Sequence, residues 1–320
     1  MYNGVLVLHR QGIMAISIII NQIIVLFLLM GLGYGLVKYK VLDKTICDRL
    51  TWLLCYVVMP CLIFNAFQIP FTDELWHNFT LMAGLTVGIH LLYIVLSKLL
   101  LNGQHLKKKA IAEQIQFTAV YSNCGFMGLP LVMALVGSAG AFYGSVYIAV
   151  NGLFVWTHGL LTYSGRFDRK ALINVLTNPN TIASVVGCLF FLFSIRLPAP
   201  IHSALGHVGG MNTALSMILV GAAMAQVEIR KIWVSSYAWL SVFMRNLLFP
   251  GIVLIALFSL NIHGNLLIIA VALSACPVAG MSVLFAQLTG KDTDFPCKSL
   301  TLSTIASLVT LPLMLSLASM

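Results

Sequence analysis

Ser122-Asn123-Cys124-Gly125-Phe126-Met127-Gly128-Leu129-Pro130 lies inside an apolar stretch, 112–136, long enough to cross a bilayer. A proline there removes a backbone donor and its ring collides with the carbonyl four residues earlier, that of Phe126. The two glycines let the backbone unwind rather than merely bend. The stretch therefore reads as a membrane helix broken near its middle. A second interruption, Ser274-Ala275-Cys276-Pro277-Val278-Ala279-Gly280, sits inside 265–289 and frees the Leu273 carbonyl in the same way.

Working outward, the composition gives both breaks a membrane setting. Hydrophobic residues make up 60% of the 320 residues and charged residues 8%, against roughly 25% charged in a soluble domain. Apolar blocks fall at 15–37, 47–68, 76–101, 112–136, 139–164, 179–195, 199–226, 233–260, 265–289 and 295–318. Each meets the ~20-residue requirement of a spanning helix within the error of its ends. This predicts an all-α integral membrane protein of about ten transmembrane helices. Residues 1–14 form a tail, 15–164 a first five-helix repeat, 165–178 a cytoplasmic loop and 179–320 a second repeat. Arg10 and the apolar run after it resemble a signal peptide, but the run from Met14 to Val37 is too long and has no small-residue cleavage site. Met14 is a second candidate for the start.

The basic residues orient these helices. Lys38, Lys40, Lys44 and Arg49 fall in or beside the first loop, and Lys98, Lys107, Lys108 and Lys109 in the third. Arg166, Arg169 and Lys170 follow in the fifth, Arg230 and Lys231 in the seventh, Lys291 and Lys298 in the ninth. Positive charge accumulates on the cytoplasmic side, so both termini are expected outside a multi-pass protein of the cytoplasmic membrane. The net charge of +9 then serves orientation and contact with anionic lipid, with no nucleic-acid partner implied.

The two broken spans are the fourth of each set of five, and an odd number of spans per set makes the repeats inverted. Matching interruptions in two halves point to a transporter's binding site. Half-helices starting after Pro130 and after Pro277 would aim N-terminal ends, each with roughly half a positive charge, at the midplane. That favours an anion. Arg245 lies roughly 18 Å into its span at 1.5 Å per residue, and a cation so deep needs a partner or a task. Either it meets an anionic substrate, or it bonds freed carbonyls and Asn246. All nine acidic residues fall in loops or at span ends, which argues against a Na⁺/H⁺ antiporter with a titrating carboxylate in the membrane.

Other polar residues read as structural. Asn21, Gln22, Asn65, Asn151, Asn212 and Asn246 suit bonding between helices. Gly31-Leu-Gly-Tyr-Gly35 lies within a span and suits close helix packing. The seven cysteines contain no CxxC pair and read as small hydrophobes, with no metal or cofactor implied. An intramembrane enzyme has little support. Gly280-Met281-Ser282 suggests a membrane serine protease, but no histidine follows His263, and there is no HExxH or DDxxD.

On Ser122-Asn123-x-Gly125-Phe126-x-Gly128-x-Pro130, with Pro60, Asn178-Pro179, Arg245, Pro250 and Pro277 in support, the chain resembles the auxin efflux carrier family over nearly its whole length. Its short loops are similar to those of the prokaryotic branch. The resemblance implies a 5+5 inverted repeat similar to the bile acid symporters. Spans one, two, six and seven would form a scaffold, and spans three to five and eight to ten a transport domain. It also implies alternating-access transport of small organic anions, such as malate, malonate or auxin-like acids. Asn123, Pro130 and Pro277 carry over as crossover residues, and Ser122, Gly125, Ser274 and Arg245 complete the candidate substrate-binding set. The symporters' acidic sodium ligands on the ninth span have no match, so H⁺ and Na⁺ both stay open as coupling ions. A homodimer is a further candidate assembly. The alternatives are a symporter of another small solute, or a channel or sensor on the same fold.

Overall fold

The computed structural model describes residues 2–101, 109–165, 173, 176–227 and 229–319. Lys107, Lys108, Arg166, Asp168, Arg169, Lys170 and Glu228, and with them most of the third and fifth loops, lie outside the described residues. Within them the fold is helical: α1 (Tyr2–Lys38), α2 (Lys44–Ala66), α3 (Asp73–Leu100), α4 (Lys109–Val120), α5 (Cys124–Ser164), α6 (Pro179–Leu192), α7 (Ala199–Met224), α8 (Ser236–Ser259), α9 (Gly264–Ala275), α10 (Met281–Leu288) and α11 (Asp294–Ala318). A one-turn helix, Ile229–Ile232, precedes α8. Among the described residues, seven segments are long and apolar enough to cross a membrane: α1 from Ile20, α2, α3, α5, α7, α8 and α11. The helices α6 and α9 are apolar but shorter.

Two expectations are revised. Residues 2–14, expected as a tail, continue α1, because no proline before Pro60 interrupts it. The helix after the first break restarts at Cys124, not after Pro130. The helix after the second break restarts at Met281, past Pro277 as expected. The early first restart has a local reason. A proline fits within the first turn of a helix, where its missing N–H costs nothing, so the chain can wind before reaching it.

Three prolines follow a wide, π-type turn: Leu54–Val58 before Pro60, Cys124–Gly128 before Pro130 and Phe243–Leu248 before Pro250. The wider turn moves the preceding carbonyls away from the ring, so the helix axis continues past it. Gly137 turns α5 sharply, at φ 61° and ψ −134°. That conformation is open to glycine and strained for other residues. The bend divides α5 into a short arm after the first break and a long arm beyond it.

The helices pack in two groups. The first has α7 against α1 and α2, and α6 against α2. The second has α5 against α3 and α9, with α11 against α8 and α9. The apolar faces of α6, such as Ile182, Val185 and Leu189, remain exposed, as lipid-facing side chains are.

Helix α1 approaches α7 closely enough that backbone meets backbone. A Cβ on Gly33 would lie 2.0 Å from the Ile218 carbonyl oxygen, and one on Gly221 1.9 Å from that of Met30. Gly31 and Gly35 have open space around them. Only the middle glycine of the run is thus a contact, in keeping with small residues where membrane helices touch. Gly33→Ala should lower thermal stability by about 1–3 kcal/mol through overpacking. Gly31→Ala and Gly35→Ala should leave the melting temperature of detergent-purified protein within about a degree of the parent, since surface changes are usually near neutral.

Candidate functional site

The two breaks cross each other, and the crossing accounts for the backbone groups the breaks set free. Ser122 and Val278 form an antiparallel bridge. The Asn123 N–H donates to the Pro277 carbonyl at 2.7 Å, and the Ala279 N–H donates to the Tyr121 carbonyl at 3.1 Å. In a membrane interior each unpaired backbone group costs several kcal/mol, so unwound segments survive there only with such partners.

The carbonyls displaced by the prolines have partners too. Ser122 Oγ donates to Leu273 O at 2.8 Å. Ser216 Oγ, from α7, donates to Phe126 O at 3.0 Å. The Val278 N–H donates to Ser303 Oγ at 3.0 Å, and Asn246 holds that hydroxyl by accepting from it at 2.6 Å. Asn246 Nδ2 donates in turn to Ser303 O and Thr310 Oγ1. Asn246 thus bonds between helices as expected, whereas both side-chain polar atoms of Asn212 are buried without a partner.

Arg245 is buried, at 1% exposure. Its Nη1 donates to Ala119 O at 2.9 Å and Val120 O at 2.8 Å, the last carbonyls of α4. The guanidinium lies 5.1 Å from the Tyr93 ring centroid. A cation suits this place, because a helix C-terminus carries partial negative charge and orphan carbonyls. Of the two readings open to Arg245, the observed bonds are those to freed carbonyls. Outside the crossing, Glu113 pairs with Lys291 and Gln114 Nε2 donates to Asp292 O, which ties α4 to the loop after α10.

Beside the crossing lies a cavity of about 440 Å³. Its walls come from α2, the starts of α5, α6 and α10, the long arm of α5, α7 and Leu300 of α11. Ser122, Asn123 and Gly125 line it; Pro130, Ser274, Pro277 and Arg245 do not. Pro277 contributes its carbonyl to the crossing, and Ser274 Oγ donates to Val271 O within α9. The candidate set is thus divided between a cavity wall and the scaffolding behind it.

Three helix N-termini open onto this cavity, those of α5 at Asn123–Phe126, α6 at Asn178–Thr181 and α10 at Gly280–Met281. Asn123 O accepts from Met127 N and Gly128 N, whereas the first amides of the helix have no acceptor within it. Asn178 caps α6 by accepting from the Asn180 N–H at 2.9 Å, and Asn180 Oδ1 is buried without a partner. Among the described residues, no Asp, Glu, Lys, Arg or His lines the cavity. Three N-termini and no carboxylate give its wall positive potential without a formal charge.

Two parts of this site were not singled out in the sequence. The α6 N-terminus had a readable signal in Asn178-Pro179, a capping residue followed by proline at the first helical position. Asn151 was read as bonding between helices. It does bond His90, but it also lines the cavity.

The crossing and Arg245 yield two expectations. A side chain at Gly128 would start 2.7 Å from Leu273 Cδ2 and 2.9 Å from Cys276 Sγ, so Gly128→Leu should force the crossing apart and abolish folding or activity. Arg245→Gln should cost about 2–5 kcal/mol by orphaning buried carbonyls. Surviving protein should keep its preference between a carboxylate and the matching amide in a binding assay. Full stability with altered preference would place Arg245 in the substrate's path instead.

A family model described as Membrane transport protein matches residues 18–169 and 166–315. Auxin efflux carrier component 5 of Arabidopsis thaliana is 22% identical over 318 residues, covering 85% of this chain and 88% of that protein. Probable auxin efflux carrier component 5a of Oryza sativa subsp. japonica is 29% identical over 139 residues, 41% of this chain and 38% of that protein. With the family model spanning nearly the whole sequence, the chain belongs to the membrane transport protein family, that of the auxin efflux carriers.

Proposed function

We propose that the protein is a secondary transporter of small organic anions, carboxylates such as malate, malonate or auxin-like acids, working by alternating access. The observation that carries this reading is the convergence of three helix N-termini on one cavity without a carboxylate. Its volume of about 440 Å³ lies within the ~300–1,000 Å³ range of small-molecule sites. Tyr56, Phe126 and Trp156 supply apolar wall, while Ser122, Asn123, Asn151 and Asn180 supply polar atoms. Asn123, at the tip of the α5 restart, is assigned to the substrate carboxylate.

The architecture proposed with it has ten crossings in two inverted sets of five. Each broken pair, α4 with the short arm of α5 and α9 with α10, counts as one crossing, and the long arm of α5 is another. The two segments matched by the family model, which meet near residue 166, support this division. The α1, α2, α6, α7 group would then be the scaffold and the rest the moving domain. We place the protein in the cytoplasmic membrane with both termini outside and the odd loops in the cytoplasm. The cavity wall that reaches Thr51 and Asn178 would then face inward. H⁺ or Na⁺ coupling and a homodimer belong to the same proposal.

Orientation is checked with single cysteines in intact cells. Thr72→Cys should react with an impermeant maleimide and Lys44→Cys should not; the opposite pattern overturns the topology. Substrate charge is checked in proteoliposomes. Malonate and indole-3-acetate should bind at least tenfold tighter than their amides, since each helix N-terminus contributes up to roughly 2 kcal/mol toward an anion. Asn123→Ala should abolish counterflow while the protein still folds. Equal binding of the amides, or transport of a cation, would show the sign of the site to be wrong.

A further inference from the structure

Behind the cavity wall sits a buried histidine that the anion site does not itself use. His90, on α3, is 1% exposed. Its Nδ1 lies 2.8 Å from the Thr86 carbonyl oxygen, and its Nε2 lies 3.0 Å from the side-chain amide of Asn151. Asn151 belongs to the cavity wall. The imidazole stacks on Phe154 at 5.0 Å between centroids, with Tyr147 at 5.7 Å and Tyr121 at 6.2 Å.

The hydrogen-bond chemistry of this arrangement allows two states. A carbonyl can only accept, so the Thr86 contact requires the ring proton on Nδ1. In a neutral imidazole Nε2 is then a bare acceptor, and Asn151 must offer it Nδ2–H. That leaves the amide oxygen for the cavity, where it repels an anion. In an imidazolium Nε2 carries a proton and donates to Oδ1 of Asn151. That leaves the Nδ2 donors for the cavity, where they can hold a carboxylate. Which end of Asn151 meets the substrate is therefore set by one proton on His90, whichever way the amide is assigned.

We propose that His90 is the proton-binding site of this carrier and that Asn151 transmits its protonation to the anion, so that anion and proton are bound and moved together. This rests on the anion-transport reading above. Three aromatic rings around the imidazole suit a cation. The charged side chain acting on His90 is Arg245, a cation that opposes an imidazolium. The other titratable groups facing it are Tyr121 at the end of α4 and Tyr147 on α5, while Tyr93, on the same helix as His90, packs against Arg245. None of these is an acid that would balance an imidazolium, so the substrate itself supplies the countercharge. Binding of either partner favours the other by the same factor, as linkage requires. His158, which contacts the Tyr121 hydroxyl at 2.9 Å, has no such connection to a cavity amide and serves as the control.

The experiment measures protons taken up as malonate, malate or indole-3-acetate binds to purified protein, with a pH dye in weak buffer between pH 6 and 8. The expected result is close to one proton per anion and affinity about tenfold tighter for each unit fall in pH. Asn151→Ala and His90→Gln should both remove the proton uptake and flatten the pH profile, and His158→Gln should retain both. Anion binding without proton uptake by the parent protein overturns this inference and leaves the transport reading standing. Uptake that survives Asn151→Ala overturns it as well. Binding of none of the three anions at any pH removes the anion reading itself, and this inference with it.

Discussion

Two backbone hydrogen bonds, Asn123 N–H to Pro277 O and Ala279 N–H to Tyr121 O, hold the centre of this molecule together. Unwound chain at membrane depth is excluded unless its polar groups are paired. Here each broken helix supplies the partners the other lost. The crossing is thus a condition for the breaks to exist, and everything around it follows. It fixes where α5 and α10 restart, and so where their N-termini meet the cavity. It also ends α4 in buried carbonyls that lack helix partners, which Arg245 satisfies.

The positive character of the cavity arises from orientation rather than from side-chain charge. Formal charges in its wall would bind an anion tightly, but a carrier must also release it. Helix termini and asparagine amides offer direction and moderate strength, with donors that reach a carboxylate but no counterion that must be desolvated. Membership of the membrane transport protein family makes transport the setting in which the crossing and the cavity act.

The breaks were legible because proline and glycine act locally, whatever surrounds them. Most helix ends were legible because bilayer thickness imposes a length on apolar runs, but α5 runs from Cys124 to Ser164 through the boundary expected between 112–136 and 139–164. The point of restart was not legible, since Asn123 can begin a helix only if its own N–H finds Pro277 far along the chain. Arg245 could be placed at depth by counting, but not aimed. Its acceptors, Ala119 and Val120, come from another helix and become available only because that helix stops there. Asn151 hid for a related reason. One polar residue on an apolar helix looks the same whether it faces a neighbour or a cavity, and here it faces both.

Ser216 joins the two helix groups at a point where they would have to part. Its hydroxyl donates to Phe126 O across the boundary, and within its own helix Thr213 O lies 3.3 Å away as a second acceptor. If the α5 tip slides along α7, the hydroxyl trades one acceptor for the other without passing through an unbonded state. The contact then behaves as a latch with a resting position on either side, firm in register and cheap to open. A threonine, with an equivalent hydroxyl, would preserve that latch, whereas an alanine would leave the Phe126 carbonyl without its donor in the observed position.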